Sequence, residues 1–142
     1  MGPEHTSTLG TVNNLGNFYA DQGKMAEAEA MYRRALEGTE KACGPEHPST
    51  LNTANNLGVL YKDQGKMAEA EAMFRRALEG KEKALGPEHP STLDTVHNLG
   101  ILYTDQGKMA EAEAMYRRAL EGHEKAQDGR SGSHVSTGVG RV

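Results

Sequence analysis

The sequence predicts an all-α fold, a solenoid built from three copies of one helix-turn-helix unit. The tetrapeptide Gly-Pro-Glu-His recurs with a period of 42 residues, at 2–5, 44–47 and 86–89. Aligned on this period, the three units have the same residue at 32 of 42 positions. The units comprise residues 2–43, 44–85 and 86–127. No segment alternates as a strand would. Because one helix pair cannot bury both of its apolar faces, each unit must stack on the next.

Each unit reads as two helices, which we call A and B. In the second unit, helix A begins at Pro48, since proline suits the first helical turn, and it ends just before Gly65. Helix B begins near Met67, is rich in strong helix formers and continues to about Ala84. Gly86 and the proline after it end the helix.

The shared residues resemble the tetratricopeptide (TPR) signature: a Leu-Gly pair, a tyrosine three residues later, then Ala, aromatic and Ala in helix B. In the first unit these residues are Asn14-Leu15-Gly16-Asn17, Tyr19, Gln22-Gly23, Glu27-Ala28, Tyr32 and Ala35-Leu36-Glu37. Ordinary TPR units have 34 residues. The longer unit, with its Gly-Pro-Glu-His segment, is similar to the kinesin-light-chain and nephrocystin-3 subgroup, and similar arrays adjoin nucleotide-binding receptor (NLR-like) domains. The resemblance implies a right-handed α-solenoid of six helices that acts as a noncatalytic interaction scaffold.

Positions that differ between the units indicate where a ligand would bind. Four of the ten variable positions lie in helix A at spacings of three, four and three, which places them on one helical face. The resemblance implies that this face lines a concave groove. The predicted groove residues are Gly10, Asn13, Asn17, Ala20, Asn52, Asn55, Val59, Lys62, Asp94, His97, Ile101 and Thr104. The alternative is that near-identical units drift first wherever packing imposes no constraint.

The groove composition favours a peptide or protein partner. Asn14, Asn56 and Asn98 add one invariant amide per unit, which can donate to and accept from an extended backbone. The formal net charge of the chain is -4, so a basic or neutral peptide fits better than an acidic one. The same charge argues against a nucleic-acid partner. No apolar run approaches the ~20 residues of a membrane helix, and the single cysteine suits a reducing compartment, so we expect a cytoplasmic protein without a membrane partner.

No constellation of residues predicts an enzyme, a cofactor or a metal site. His5, His47 and His89 occupy equivalent loops one repeat apart, too far from one another to share a zinc ion, so helix capping is the better interpretation. The Gly-Lys pairs lack the other residues of a phosphate-binding loop. We therefore expect no catalytic residue.

Two further expectations concern packing and the ends of the array. A glycine held at one phase inside helix A, Gly58 in the second unit, predicts a close approach of helices A and B. The outer helices repeat the interior sequence, so an alternative function is a structural array or spacer that associates end to end. Residues 128–142 are rich in Gly and Ser, and we expect a flexible tail, largely disordered from 129 onward.

Overall fold

The three units fold as three antiparallel helix pairs stacked in chain order. The computed structural model describes residues 5–131, with side chains as far as Gln127. The helices are α1 (Thr6–Asp21), α2 (Met25–Cys43), α3 (Pro48–Asp63), α4 (Met67–Leu85), α5 (Pro90–Asp105) and α6 (Met109–Ser131). The described residues contain no strand. The predicted all-α solenoid and its A and B helices are confirmed, with α4 one residue longer than expected.

Glycine and proline set the helix boundaries. Gly65 adopts a φ of 78°, and the backbone N–H of Lys66 donates to the Tyr61 carbonyl at 2.8 Å, which reverses the chain between helices A and B. Gly86 has a φ of 98° at the end of helix B. Helix α6 has no Gly-Pro after it and continues to Ser131, so residues 129–131 are helical where we expected a disordered tail. Residues 132–142 of the predicted tail lie outside the described part.

The histidines of the loops cap the A helices. The Nδ1 atom of His47 accepts a hydrogen bond from the backbone N–H of Ser49 at 3.1 Å, and His89 accepts one from Ser91 at 3.0 Å. His5 precedes Thr6 instead of a proline and makes no such bond. The interpretation of the repeated histidines as caps is therefore confirmed in the second and third units.

Helices A and B of one unit touch through glycine. A Cβ placed on Gly58 would lie 2.6 Å from Cε1 of Phe74, so only glycine lets the fully buried ring reach the α3 backbone. The predicted close approach is confirmed. A second contact of this kind was not predicted: a Cβ on Gly80 would lie 2.5 Å from Cδ2 of Leu51. The sequence could have predicted this contact, because Gly80, like Gly58, is a glycine that every unit has inside a helix.

Neighbouring units are joined by a polar triad at the edge of an apolar core. Arg33 on α2 donates to the hydroxyl of Tyr61 on α3, and the Tyr61 hydroxyl donates to Glu29 at 3.3 Å. Arg33 also pairs at 2.8 Å with Glu29, which lies four residues earlier on the same helix. The Arg33 guanidinium holds the pKa of Glu29 below its ordinary value, against the opposing effect of partial burial. The next interface repeats this arrangement with Glu71, Arg75 and Tyr103.

Candidate functional site: the helix A face

The A helices of neighbouring units contact one another along one side of the stack. Cα atoms of α1 approach those of α3 within 8 Å, and those of α3 approach α5 in the same way. Successive B helices are bridged by long side chains, where Arg76 pairs with Glu40 and Arg118 pairs with Glu82. The A helices therefore lie side by side along one surface of the stack. We call this surface the helix A face.

The predicted groove residues all keep solvent exposure. Six are exposed, namely Gly10, Asn17, Asn52, Asp94, His97 and Thr104. Six are half-buried, namely Asn13, Ala20, Asn55, Val59, Lys62 and Ile101. Since no residue of the set is buried, every one of them is accessible to a ligand on this face.

Two of these asparagines connect neighbouring A helices. The Oδ1 atom of Asn13 on α1 accepts hydrogen bonds from the Thr53 hydroxyl at 3.1 Å and from Asn56 Nδ2 at 3.2 Å, both on α3. Asn55 on α3 accepts the equivalent bonds from α5, from Thr95 at 3.0 Å and from Asn98 at 3.2 Å. The oxygens of Asn13 and Asn55 are therefore engaged in holding the units together. The amides of Asn56 and Asn98 each keep one N–H and the carbonyl for other partners.

A depression of about 420 Å³ lies between α1 and α3 on this face. Asn17, Ala20 and Val59 of the predicted set line it, and the Tyr32 hydroxyl donates to the Asn17 side chain at its wall. Its complete lining is Asn17, Ala20, Asp21, Tyr32, Asn56, Val59, Leu60 and Asp63. Burial, followed by the charge of Asp21, raises the pKa of Tyr32, so this hydroxyl remains a donor at neutral pH.

The charge of this depression is negative. Asp21 and Asp63 are both exposed at its end, and no Lys or Arg lines it. Lys62 lies beside Asp63, with Nζ at 3.2 Å from the carboxylate, but its side chain is not part of the lining. The two invariant aspartates were not among the predicted groove residues, because analysis of variable positions passes over residues that every unit shares.

The remaining predicted groove residues lie outside this depression. Gly10, Asn13 and Asn52 line a second cavity at the start of the A helices. His97 and Thr104 are near Tyr116 of α6, with ring centroids of His97 and Tyr116 5.4 Å apart and oxygens of Thr104 and Tyr116 3.5 Å apart. The structure thus distributes the set along the face and does not bring it to one point.

Lys81 is the functional candidate that sequence reasoning missed. Its side chain is 2% exposed, and Nζ donates to the Ser91 carbonyl at 3.2 Å and to the Thr95 hydroxyl at 3.1 Å. Burial lowers the pKa of Lys81, while the charge of Asp94 raises it by a smaller amount. The sequence feature that could have identified Lys81 is its position four residues after Ala77, on the apolar stripe of helix B.

The histidines and the cysteine form no metal centre within residues 5–127, where no three His, Cys, Asp or Glu side chains come together as such a centre requires. His97 on α5 and His123 on α6 are both exposed. Across the described part of the chain, no helix is both long enough and apolar enough to cross a bilayer.

Comparisons with known proteins agree with this architecture. A family described as "Tetratricopeptide repeat" matches residues 7–83 and 53–125. The crystal structure of BtubC (BKLC) from P. vanneervenii superposes with a TM-score of 0.81 at 25% identity, covering 88% of this chain and 50% of that one. Two structures of a Podospora anserina putative kinesin light chain with nearly identical TPR-like repeats, one of them a single-residue variant, superpose with TM-scores of 0.77 at 27 and 28% identity.

The match to the P. anserina structures covers 92% of this chain and 61 to 62% of those chains. The chain thus spans between half and two thirds of the length of the proteins it matches. No curated protein sequence matches it.

Proposed function

The chain belongs to the tetratricopeptide repeat family, whose repeats mediate protein–protein interaction and scaffolding, and from this premise we propose that its helix A face binds an extended peptide or protein segment. The observation that carries the proposal is the depression between α1 and α3, which combines amide, apolar and carboxylate groups on one exposed surface. Such a mixture suits a peptide, since amides pair with its backbone and an apolar wall takes a side chain.

The charge of the depression selects a basic or neutral segment. Asp21 and Asp63, the second of them paired with Lys62, would face a positively charged side chain, and an acidic one would be repelled. No catalytic role is part of the proposal.

Peptide display against the 142-residue chain, followed by calorimetry of the selected peptides, tests this function. Ala20→Arg places a long cation in the depression and should weaken binding by at least about tenfold, or ~1.4 kcal/mol. Ala72→Arg is the matched control, because Ala72 is an exposed position of helix α4 outside the depression. Equal affinities of the two variants would move the binding site away from this face.

A second candidate function, end-to-end association of copies, rests on the exposed apolar surface at both ends of the stack. Phe18 of α1 is 54% exposed and its equivalent Leu60 is 2% exposed, while Leu120 of α6 is 59% exposed. An apolar cleft of about 420 Å³ on the last unit contains Met109, Tyr116 and Leu120. In the interior, the equivalent surface of α4 is covered by α5.

The occupant that fits this cleft is helix α1 of a second copy. The Glu113–Arg117 pair at its rim repeats the two residues that bind Tyr61 and Tyr103 inside the stack, and Tyr19 of a second copy would supply the matching hydroxyl. The contact joins different surfaces of two copies, so it does not close. Sedimentation over a wide concentration range should show association that Leu120→Arg removes and the exposed-site control Ala114→Arg leaves intact.

A further inference from the structure

At one interface between units a lysine side chain fills a polar site between the helices, and at the other interface the equivalent site is open. Lys81 on α4 reaches across to α5 and donates to the Ser91 carbonyl and the Thr95 hydroxyl. The same position of the first unit is Thr39, whose hydroxyl turns back to the Ala35 carbonyl at 2.8 Å. Beside Thr39 lies a cavity of about 470 Å³ between α1, α2 and α3.

The open interface has the same acceptors as the filled one. Ser49 and Thr53, the equivalents of Ser91 and Thr95, line the cavity. The Thr53 hydroxyl donates to Asn13 at 3.1 Å, as the Thr95 hydroxyl donates to Asn55, and it also lies 3.2 Å from the Ser49 carbonyl. The Thr53 oxygen and the Ser49 carbonyl each have a second lone pair that can accept from an ammonium group.

We propose that the cavity between the first two units binds a primary alkylammonium group, and that its natural occupant is a lysine side chain of the segment bound on the helix A face. The identity of the occupant rests on the proposed function. The site itself rests on the internal example, in which the Lys81 ammonium occupies the same acceptor set.

The route from the helix A face to this cavity is short. Gly10, Asn13 and Asn52 belong to the predicted groove and line the cavity, so a peptide on that face passes its opening. Gly10 leaves room for the peptide, because no atom lies within 4 Å of where its Cβ would be. The selected segment should therefore carry lysine rather than arginine at one position, since a planar guanidinium does not match the two acceptors arranged for Lys81.

A titration with n-butylammonium chloride, followed by the backbone amide signals of the 142-residue chain, tests the site directly. Saturable shifts should be centred on Ser49, Thr53 and Asn13, whereas n-butanol and an equal concentration of sodium chloride should not reproduce them. Equal shifts with n-butanol, or no saturable shift with n-butylammonium, would overturn the proposal.

Two substitutions exchange the residues that distinguish the two interfaces. Thr39→Lys should fill the cavity and abolish the saturable response, and Thr11→Lys, at an exposed position that does not line the cavity, should retain it. Lys81→Thr should create a second response at Ser91 and Thr95, up to about fivefold tighter because Asp94 replaces Asn52 beside it. A folded Lys81→Thr variant without this response would contradict the proposal.

The peptide arm separates this inference from the proposed function. If display selects peptides without a lysine preference and Thr39→Lys leaves their affinity unchanged, groove binding stands and the lysine assignment is wrong. If no peptide is selected, the proposed function fails, and the n-butylammonium response alone decides whether the ammonium site exists.

Discussion

The middle unit and the last unit have nearly the same helix B and bury it very differently. Phe74 on α4 is fully buried, and Tyr116, its equivalent on α6, is 36% exposed. The helices differ by few residues, so the neighbour makes the difference: α5 covers α4, and no described element covers the same face of α6. In a repeat protein, burial belongs to the interface between units and is not determined by the sequence of one unit.

Truncation of the two rings should give the largest contrast. Phe74→Ala removes a fully buried ring and should cost about 3–5 kcal/mol of unfolding free energy. Tyr116→Ala removes a partly exposed ring and should cost below about half of that. Urea denaturation followed by circular dichroism measures both, and equal costs would show that α6 is covered in solution, as end-to-end association requires.

Substitution of the glycines under these rings should give a smaller contrast of the same sign. Gly58→Ala forces a Cβ against Phe74, whose surroundings are packed, so it should cost about 1–3 kcal/mol, and Gly58→Leu should cost more. A Cβ on Gly100 would lie 2.8 Å from Cε1 of Tyr116. Because this ring is partly exposed and has room to move, Gly100→Ala should cost less.

Gly10→Ala is the control for these glycines, since nothing lies within 4 Å of its Cβ position in helix α1. It should stabilise the protein by roughly 0.5–1 kcal/mol through helix propensity. Stabilisation by Gly58→Ala in the same denaturation assay would contradict the close packing of α3 on α4.

Removal of one hydroxyl tests the polar triad at the interior interface. Tyr103→Phe leaves Glu71 and Arg75 without their shared partner and should cost about 1 kcal/mol. Tyr19→Phe removes the equivalent hydroxyl from α1, where no preceding helix B is described, and the denaturation midpoint should stay the same. An equal loss of stability in both variants would mean that the Tyr19 hydroxyl also has a hydrogen-bond partner.

Sequence periodicity predicted the helices well because the same helix-forming pattern recurs in all three units. Proline and glycine at fixed phases predicted the boundaries, and Gly58 predicted a contact between helices. The contents of the interfaces were harder to predict. Nothing in the spacing of Asn13 indicates that its oxygen faces Thr53, because that bond joins residues 40 apart through the stacking of two units. Asp21 and Asp63 escaped notice because invariant residues were assigned to packing.

The smallest expected effect is a difference in pH dependence between the two interfaces. Burial lowers the pKa of Lys81 in the folded state below the ordinary value of 10.5. Between the lowered pKa and 10.5, the unfolded chain binds more protons than the folded one, so unfolding free energy rises with pH across that window. Below the lowered pKa both states are protonated, and the cost of burying the ammonium is present in full.

Lys81→Met removes this titration and preserves the approximate length of the side chain. The difference in unfolding free energy, wild type minus variant, should therefore increase as pH is raised toward 10.5. The buried tyrosines act in the opposite direction, since burial raises the pKa of Tyr61 and of Tyr103 and their stabilisation is lost at higher pH. Because both proteins contain these tyrosines, their contribution cancels in the difference. Thr39→Met at the other interface should give a difference independent of pH, and a pH-independent difference for Lys81→Met as well would mean that the lysine reaches solvent and that the ammonium is not held between α4 and α5.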